Sequence, residues 1–250
     1  MATLLHVDAS ARVSRSLSRE LSRHFVDTWR SHRPGGRIIR RDLAMDPPPY
    51  VTEDWIAAAF AAPEQRTEQM RKILAWSEKA ISELEMADLI VVGAPMYNYG
   101  MPSMLKAWFD QVIRIGRTFS FDLARGDWPL EPILGGKQLV VLSSRGEFGF
   151  GPGEMRQSWN HLDPHVATCA HYIGVARDTI RTISIEYQEF GDERHRQSKR
   201  DAEARVVELA RELATIRNGH PDGDTAMAMT DRSRSRFNAG TVPGSDFAKL

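Results

Sequence analysis

The sequence predicts an α/β protein built on an open, five-stranded parallel sheet with helices on both faces. Three observations predict it. Short apolar runs alternate five times with segments of helical periodicity. The run Asp88-Leu89-Ile90-Val91-Val92-Gly93-Ala94-Pro95 is almost continuously apolar and β-branched, as a strand covered on both faces reads, and Lys137 to Ser144 repeats the pattern. Parallel strands joined by helices close into right-handed crossovers, which places helices on both sides of one sheet.

Leu4 to Val7 reads as the first strand, ending at Asp8, and the serine-rich segment 9–16 as the loop after it. Leu17, Leu21, Phe25 and Trp29 fall on one side of a helix, and Glu20 complements the dipole in its first turn. Gly35-Gly36 end that helix, and Arg37 to Leu43 reads as a less buried strand before the turn-forming run Pro47-Pro48-Pro49. A short helix over 52–62 and a longer one over 64–86, with Met70, Ile73, Leu74, Ile81 and Leu84 at helical spacing, make the crossover to the strand at 88–95. The next helix covers 102–115 and opens on Pro102, where a missing N–H costs little.

Residues 116–136 carry Gly, Asp, Trp and Pro without clear periodicity and read as an excursion before the strand at 137–144. Asp163-Pro164 reads as an N-cap and first helical position, with a helix to Gly174 and a final strand from Thr179 to Tyr187. A charged helix over 192–217 closes the domain, with Ala202, Val206, Leu209, Ala210, Leu213 and Ile216 on its inner face. Residues 1–217 therefore read as one domain. From Asn218 to Leu250 the chain turns to Gly, Pro, Ser, Thr and Asp and reads as a largely disordered C-terminal tail.

Equal numbers of basic and acidic residues, 33 of each, give a net charge of zero and no footprint for nucleic acid or anionic lipid. The single cysteine, Cys169, has no partner for a disulfide or a Cys-ligated zinc site, which fits a reducing cytoplasm. The N-terminus lacks a basic segment ahead of an apolar one, and no run approaches about 18 apolar residues. The expectation is a cytoplasmic protein with neither membrane nor nucleic acid as partner.

Ligands of open α/β sheets bind at the carboxyl ends of strands, an address met here by loops 9–16, 95–101 and 145–153. The first places Ser10, Ser14, Ser16 and Ser18 around a helix start, where hydroxyls, unpaired N–H groups and the helix dipole suit a phosphate. A simple N-cap at Ser14 or Ser16 is the competing reading. No GxxxxGK[ST] or complete GxGxxG motif exists, so a terminal phosphate has a seat and a Rossmann-bound dinucleotide does not. In the second loop, Tyr97 and Tyr99 offer flat walls and Asn98 can both donate to and accept from a heteroaromatic edge; plugging the end of the sheet is the alternative. The third loop, Ser144-Arg145-Gly146-Glu147, lets backbone amides approach a ligand closely.

Together these loops resemble the FMN-dependent azoreductases and NADH:quinone oxidoreductases of flavodoxin-like fold. The resemblance spans about residues 3–217 and rests on Ser10, Ser16 and Ser18, on Pro95-Met96-Tyr97-Asn98-Tyr99, on Leu105-Lys106-x-Trp108-Phe109-Asp110, on Arg114-x-Gly116-x-Thr118-Phe119, and on Ser144-Arg145-Gly146. It implies strand order 2-1-3-4-5 and a homodimer with FMN at the subunit interface. By that resemblance Ser10, Ser16, Leu17 and Ser18 hold the phosphate, and Met96, Tyr97, Asn98 and Tyr99 line the isoalloxazine. Ser144, Arg145, Gly146 and Glu147 flank it, and Phe121 is the candidate to cover the flavin of the second subunit. Glu147 stands where the family commonly has a second glycine, and the segment after Asn218 has no counterpart in its short members.

The function this implies is two-electron transfer from NADH or NADPH through FMN to quinones or azo compounds, ping-pong at one shared face, with no catalytic side chain required. A flavodoxin-like electron carrier and a flavin-binding, redox-responsive interaction protein are the alternatives. Pro164 between His161 and His165, and the absence of HExxH, argue against a metal site; the absence of GxSxG argues against a hydrolase. Cys169 reads as a small buried hydrophobe.

Overall fold

The computed structural model describes residues 2–215, so the segment read as a tail lies outside the described residues. In chain order the elements are β1 (Thr3–Asp8), α1 (Leu17–His32), β2 (Arg37–Asp42), α2 (Glu53–Phe60), α3 (Glu68–Met86), β3 (Leu89–Pro95) and α4 (Ser103–Val112). β4 (Phe119–Phe121), β5 (Leu130–Pro132), β6 (Lys137–Ser144), α5 (Asp163–His171), β7 (Val175–Ile185) and α6 (Glu193–Thr215) follow. The main sheet is parallel with order β2-β1-β3-β6-β7. β4 and β5 form a separate antiparallel pair, so the main sheet has the expected 2-1-3-4-5 arrangement.

Strand periodicity sorts the core into two layers. Leu5, Val7, Ile90, Val92, Leu139 and Val141 pack with Ile81 and Leu84 of α3, Trp108 and Phe109 of α4 and Val166 of α5. Leu4, Val91, Val140 and Leu142 face the other way, onto Leu21, Phe25 and Trp29 of α1 and Val206 and Ala210 of α6. Burial of a side chain such as Phe25 contributes roughly 1.5–3 kcal/mol relative to leaving it in water. The helix starts follow their sequence signals: Ser16, Thr52 and Thr67 accept from the backbone N–H three residues on, capping α1, α2 and α3. Gly93 lets α1 approach the sheet, because a Cβ there would stand 2.8 Å from both Asp8 Oδ1 and Ser22 Oγ.

Three expectations are corrected. The excursion at 116–136 contains the β4–β5 hairpin, whose strands of three residues each are too short to show a period. The final strand begins at Val175 and ends at Ile185, where Thr179 to Tyr187 was expected. Its early part is bulged, with Lys137 opposite Val175 but Leu139 opposite Ile180, and the intervening polar residues of this edge strand read as loop. Tyr187 leaves the strand altogether, in a left-handed conformation. Lastly, Asp163 is the first residue of α5 and not its cap. Its carboxylate accepts from Arg145 and Asn160, while Asn160 Oδ1 takes up the N–H groups of Leu162 and Asp163. Among the described residues no helix is long and apolar enough to cross a membrane.

Candidate functional site

Sheet register brings the three candidate loops side by side. Asp8 of β1 lies opposite Gly93 of β3, and Pro95 opposite Ser144 of β6. Ala9 N donates to Gly93 O at 2.8 Å and Met96 N to Ser144 O at 2.9 Å, so the three chains leave the sheet knitted together.

In the first loop Ser10, Ser16 and Ser18 are all buried. Ser16 Oγ accepts a long 3.4 Å bond from Arg19 N, and the Ser16 and Ser18 hydroxyls lie 3.3 Å apart. The N–H groups of Leu17 and Ser18 find no acceptor among the described residues, which leaves donors of the first turn of α1 open beside two buried hydroxyls. Arg15 turns the chain into this position with a φ of 55°. Ser10 is held from behind: its carbonyl accepts from Arg19 Nη2 at 2.8 Å and its hydroxyl from Arg12 N at 3.2 Å. Glu20, the acidic residue of the turn, is engaged by Lys199 at 3.2 Å.

The second loop is a tight reversal. Tyr97 and Gly100 exchange backbone hydrogen bonds of 3.1 and 3.0 Å, and the two residues between them, Asn98 and Tyr99, both have positive φ. Two successive left-handed residues are what a type I′ turn requires, and a tyrosine pays for that geometry in strain unless its surroundings fix it. Here they do. Tyr99 O accepts from His161 N at 2.9 Å, and its ring meets Trp159 edge-on at 5.5 Å and Phe150 at 6.3 Å. Tyr97, Asn98 and Tyr99 are exposed, and Met96 is half-buried against the core.

The third loop rides on the turn after β7. Tyr187, Gln188 and Glu189 donate their N–H groups to the carbonyls of Glu147, Arg145 and Gly146. A side chain at Gly146 would displace the Glu189 side chain, since a Cβ there meets its Oε1 at 2.6 Å. The N–H groups of Gly146, Glu147 and Phe148 have no acceptor among the described residues. Ser144 is buried at the strand end. Arg145 stands in the loop expected to flank the ring, with its guanidinium turned inward, onto Asp163 Oδ2 at 2.7 Å, Ser143 Oγ at 3.3 Å and Glu186 Oε1 at 3.5 Å. It anchors the loop. Glu147 extends toward Arg156, with 3.5 Å between Oε1 and Nη2, and toward the Tyr99 hydroxyl, whose pKa its negative charge raises.

Phe121 lies half-buried on the hairpin and not in these loops. Sequence reasoning missed Phe150, in the glycine-rich segment 149–154, and Trp159 beyond it, which support Tyr99. It also missed the wall of Pro47, Pro48 and Tyr50, which with Ala11 of the first loop and Met104 of α4 lines a cavity of about 290 Å³. Three prolines followed by an aromatic were the signal available. A larger groove of about 800 Å³ runs between β7 and α6; of the candidate site residues it contains Arg145 alone. Burial pushes the Cys169 thiol up to about 11, away from thiolate chemistry. Among the described residues no three metal-ligating side chains converge.

The donor set suits a phosphate ester carried on a flat heteroaromatic ring. Open amides and buried hydroxyls at Ser16-Leu17-Ser18 match a phosphate, the Tyr97-Asn98-Tyr99 turn offers aromatic and amide surface, and the open amides at 146–148 can meet a polar ring edge. FMN fits these residues.

Comparison with known proteins agrees. Residues 2–209 match a protein family described by its flavodoxin-like fold. The FMN-dependent NADH:quinone oxidoreductase 2 of Idiomarina loihiensis is 48% identical over 221 residues, 86% of this chain and 91% of the relative. The FMN-dependent NAD(P)H:quinone oxidoreductase 1 of Pseudomonas aeruginosa is 42% identical over 212 residues, 84% of this chain and 99% of its own. Among solved structures, an FMN-dependent NADH-azoreductase from Bacillus anthracis in complex with FMN superposes with a TM-score of 0.75 at 17% identity, over 86% of this chain and 100% of that one, which speaks for the fold. The chain belongs to the FMN-dependent NADH:quinone oxidoreductases of flavodoxin-like fold.

Proposed function

We propose that this chain binds FMN at the three strand-end loops and transfers two electrons from NADH or NADPH to quinones or azo compounds by a ping-pong sequence. The observation that carries the reading is the pair of buried hydroxyls, Ser16 and Ser18, beside open amides at the start of α1, next to an aromatic turn fixed in left-handed geometry. When bound, FMN supplies hydride acceptance and two-electron delivery to the acceptor. The protein's part is to hold and orient. Ser10, Ser16, Leu17 and Ser18 take the phosphate, Met96 to Tyr99 shape one edge of the ring site, and the amides of 146–148 donate to its polar edge. Ser144 closes the sheet end beneath, and Arg145 keeps the third loop in place through Asp163 and Glu186. No side-chain nucleophile, acid or base is assigned.

We assign residues 1–217 as the FMN-binding domain, acting in the cytoplasm as a homodimer. Exposed Tyr50, Ile56 and Phe60 around α2, and Trp128 beside the hairpin, are large apolar side chains that a second copy could cover. Phe121 is the candidate to close over the site of that copy. Anaerobic addition of NADH to FMN-loaded protein tests the reading: rapid bleaching, followed by recolouring with a quinone, is expected. Stoichiometric FAD in place of FMN, or FMN that NADH leaves oxidised, overturns it. Sedimentation should show a dimer; a fully active, concentration-independent monomer would remove the dimer and the role of Phe121.

A further inference from the structure

Glu147 is the one acidic side chain of the third loop, between the Ser144-Arg145-Gly146 strand end and the aromatic Phe148. Its carboxylate is partly withdrawn from water. Oε1 faces Arg156 Nη2 at 3.5 Å, too long for a strong charge-assisted bond, and Oε2 is buried with no hydrogen-bond partner. Arg156 is itself held elsewhere, donating from Nη1 to Phe148 O at 3.0 Å and stacking over the Phe148 ring at 4.7 Å, so it neutralises Glu147 incompletely. From the second loop the Tyr99 hydroxyl faces the same carboxylate, and from the turn after β7 comes a further negative charge, Glu189, packed beneath Gly146. An incompletely paired carboxylate thus joins the two loops assigned to the ring.

We propose that Glu147 sets the reduction potential of the flavin bound by this chain, its negative charge opposing the negative charge that the ring gains on reduction. The inference rests on the FMN reading above. Hydride transfer from NAD(P)H delivers two electrons and one proton to the ring and leaves NAD(P)⁺, so the ring gains one net negative charge. A fixed carboxylate in a partly desolvated site disfavours that gain and makes the reduced cofactor the stronger reductant. Arg156 acts in the opposite sense by offsetting part of the charge.

The test is a spectral redox titration of FMN-loaded wild type, Glu147→Gln and Arg156→Gln against a reference dye, with FMN content measured for each. Glu147→Gln is expected to raise the reduced-to-oxidised ratio about tenfold at a fixed poise, a shift of about 30 mV to more positive potential. Arg156→Gln is expected to shift the potential the other way. A purely structural role for either residue would not produce shifts of opposite sign. Glu147→Gln that retains FMN at an unchanged or more negative potential overturns the inference and leaves the FMN reading standing. Should that variant lose FMN, Arg156→Gln decides: a more negative potential supports the assignment and an unchanged or more positive one overturns it. A wild-type chain that takes up no FMN removes the functional reading itself, and with it the inference.

Discussion

Arg19, in the first turn of α1, grips Asp42 at the end of β2 through both terminal guanidinium nitrogens, at 2.6 and 2.7 Å, and donates from the same Nη2 to the carbonyl of Ser10 at 2.8 Å. One planar cation thereby ties the edge strand, the helix start and the first loop together, a geometry that a lysine cannot reproduce. The hydrogen bond from Arg19 holds the Asp42 carboxyl below its ordinary range. A carboxylate depressed in the folded state contributes stability above its unfolded pKa, near 3.9, and loses it as pH falls through the lower folded value. Asp42→Asn should therefore lower the melting temperature at neutral pH, and the gap to wild type should close as pH drops below about 4. A gap that stays constant down to pH 3 would show that the pair contributes nothing through charge. Arg19→Lys should weaken FMN several-fold by freeing Ser10.

Replacing Ser16 and Ser18 together with alanine should weaken FMN binding by about 2–3 kcal/mol, taking about 1–1.5 for each hydrogen bond to a charged group. That is a roughly 30- to 150-fold rise in Kd. Loss of the Ser16 cap should also cost the apoprotein about 1 kcal/mol. A Kd left unchanged in equilibrium titration would reduce both serines to capping.

Double-reciprocal plots against NADH at several quinone concentrations should be parallel, because the donor must leave before the acceptor can occupy the same face. Intersecting lines, with product inhibition indicating a ternary complex, would count against one shared site.

Gly93→Ala tests the seat of α1. The added methyl would press on Asp8 Oδ1, Ser22 Oγ and Ser22 Cβ at 2.8, 2.8 and 3.0 Å, and overpacking of this kind costs about 1–3 kcal/mol. A fall in melting temperature of about 2–4 °C per kcal/mol is expected in calorimetry, together with weaker FMN binding as the helix start shifts. Wild-type values for both would mean that the helix can yield without disturbing the phosphate site.

Ending the chain at Asn218 should leave FMN affinity, melting temperature and quinone turnover unchanged. Residues 219–250 offer few large apolar side chains, Met227, Met229, Phe237, Val242, Phe247 and Leu250, against an ordering cost of roughly 1–2 kcal/mol per residue. A loss of several degrees, or an altered range of acceptors, would make the segment part of the working enzyme.

The sequence alone determined the alternation of strand and helix, the doubly covered strands at 88–95 and 137–144, the serine-rich start of α1 and the three loops at the strand ends, while the structure chose Ser16 over Ser14 as the cap. These are properties of local periodicity and end chemistry, and serine, proline and β-branched residues express them wherever they stand. It also supplied the resemblance that named FMN. What it could not express was the partner of each side chain. Arg145 reads only as part of a ring-flanking loop, and the fold alone shows that its guanidinium is held by Asp163 and Glu186; Asp163 reads as a cap until Arg145 and Asn160 claim its carboxylate. Asn98 tolerates left-handed geometry by its own chemistry, but Tyr99 does not, and it holds that geometry where Trp159, Phe150 and His161, far along the chain, pack and hydrogen-bond it from outside. The same is true of Glu147, whose incomplete pairing depends on where Arg156 is held. A hydrogen bond or ion pair between residues distant in sequence depends on ångström-scale placement by the whole packed core, and no local pattern of residues carries that information.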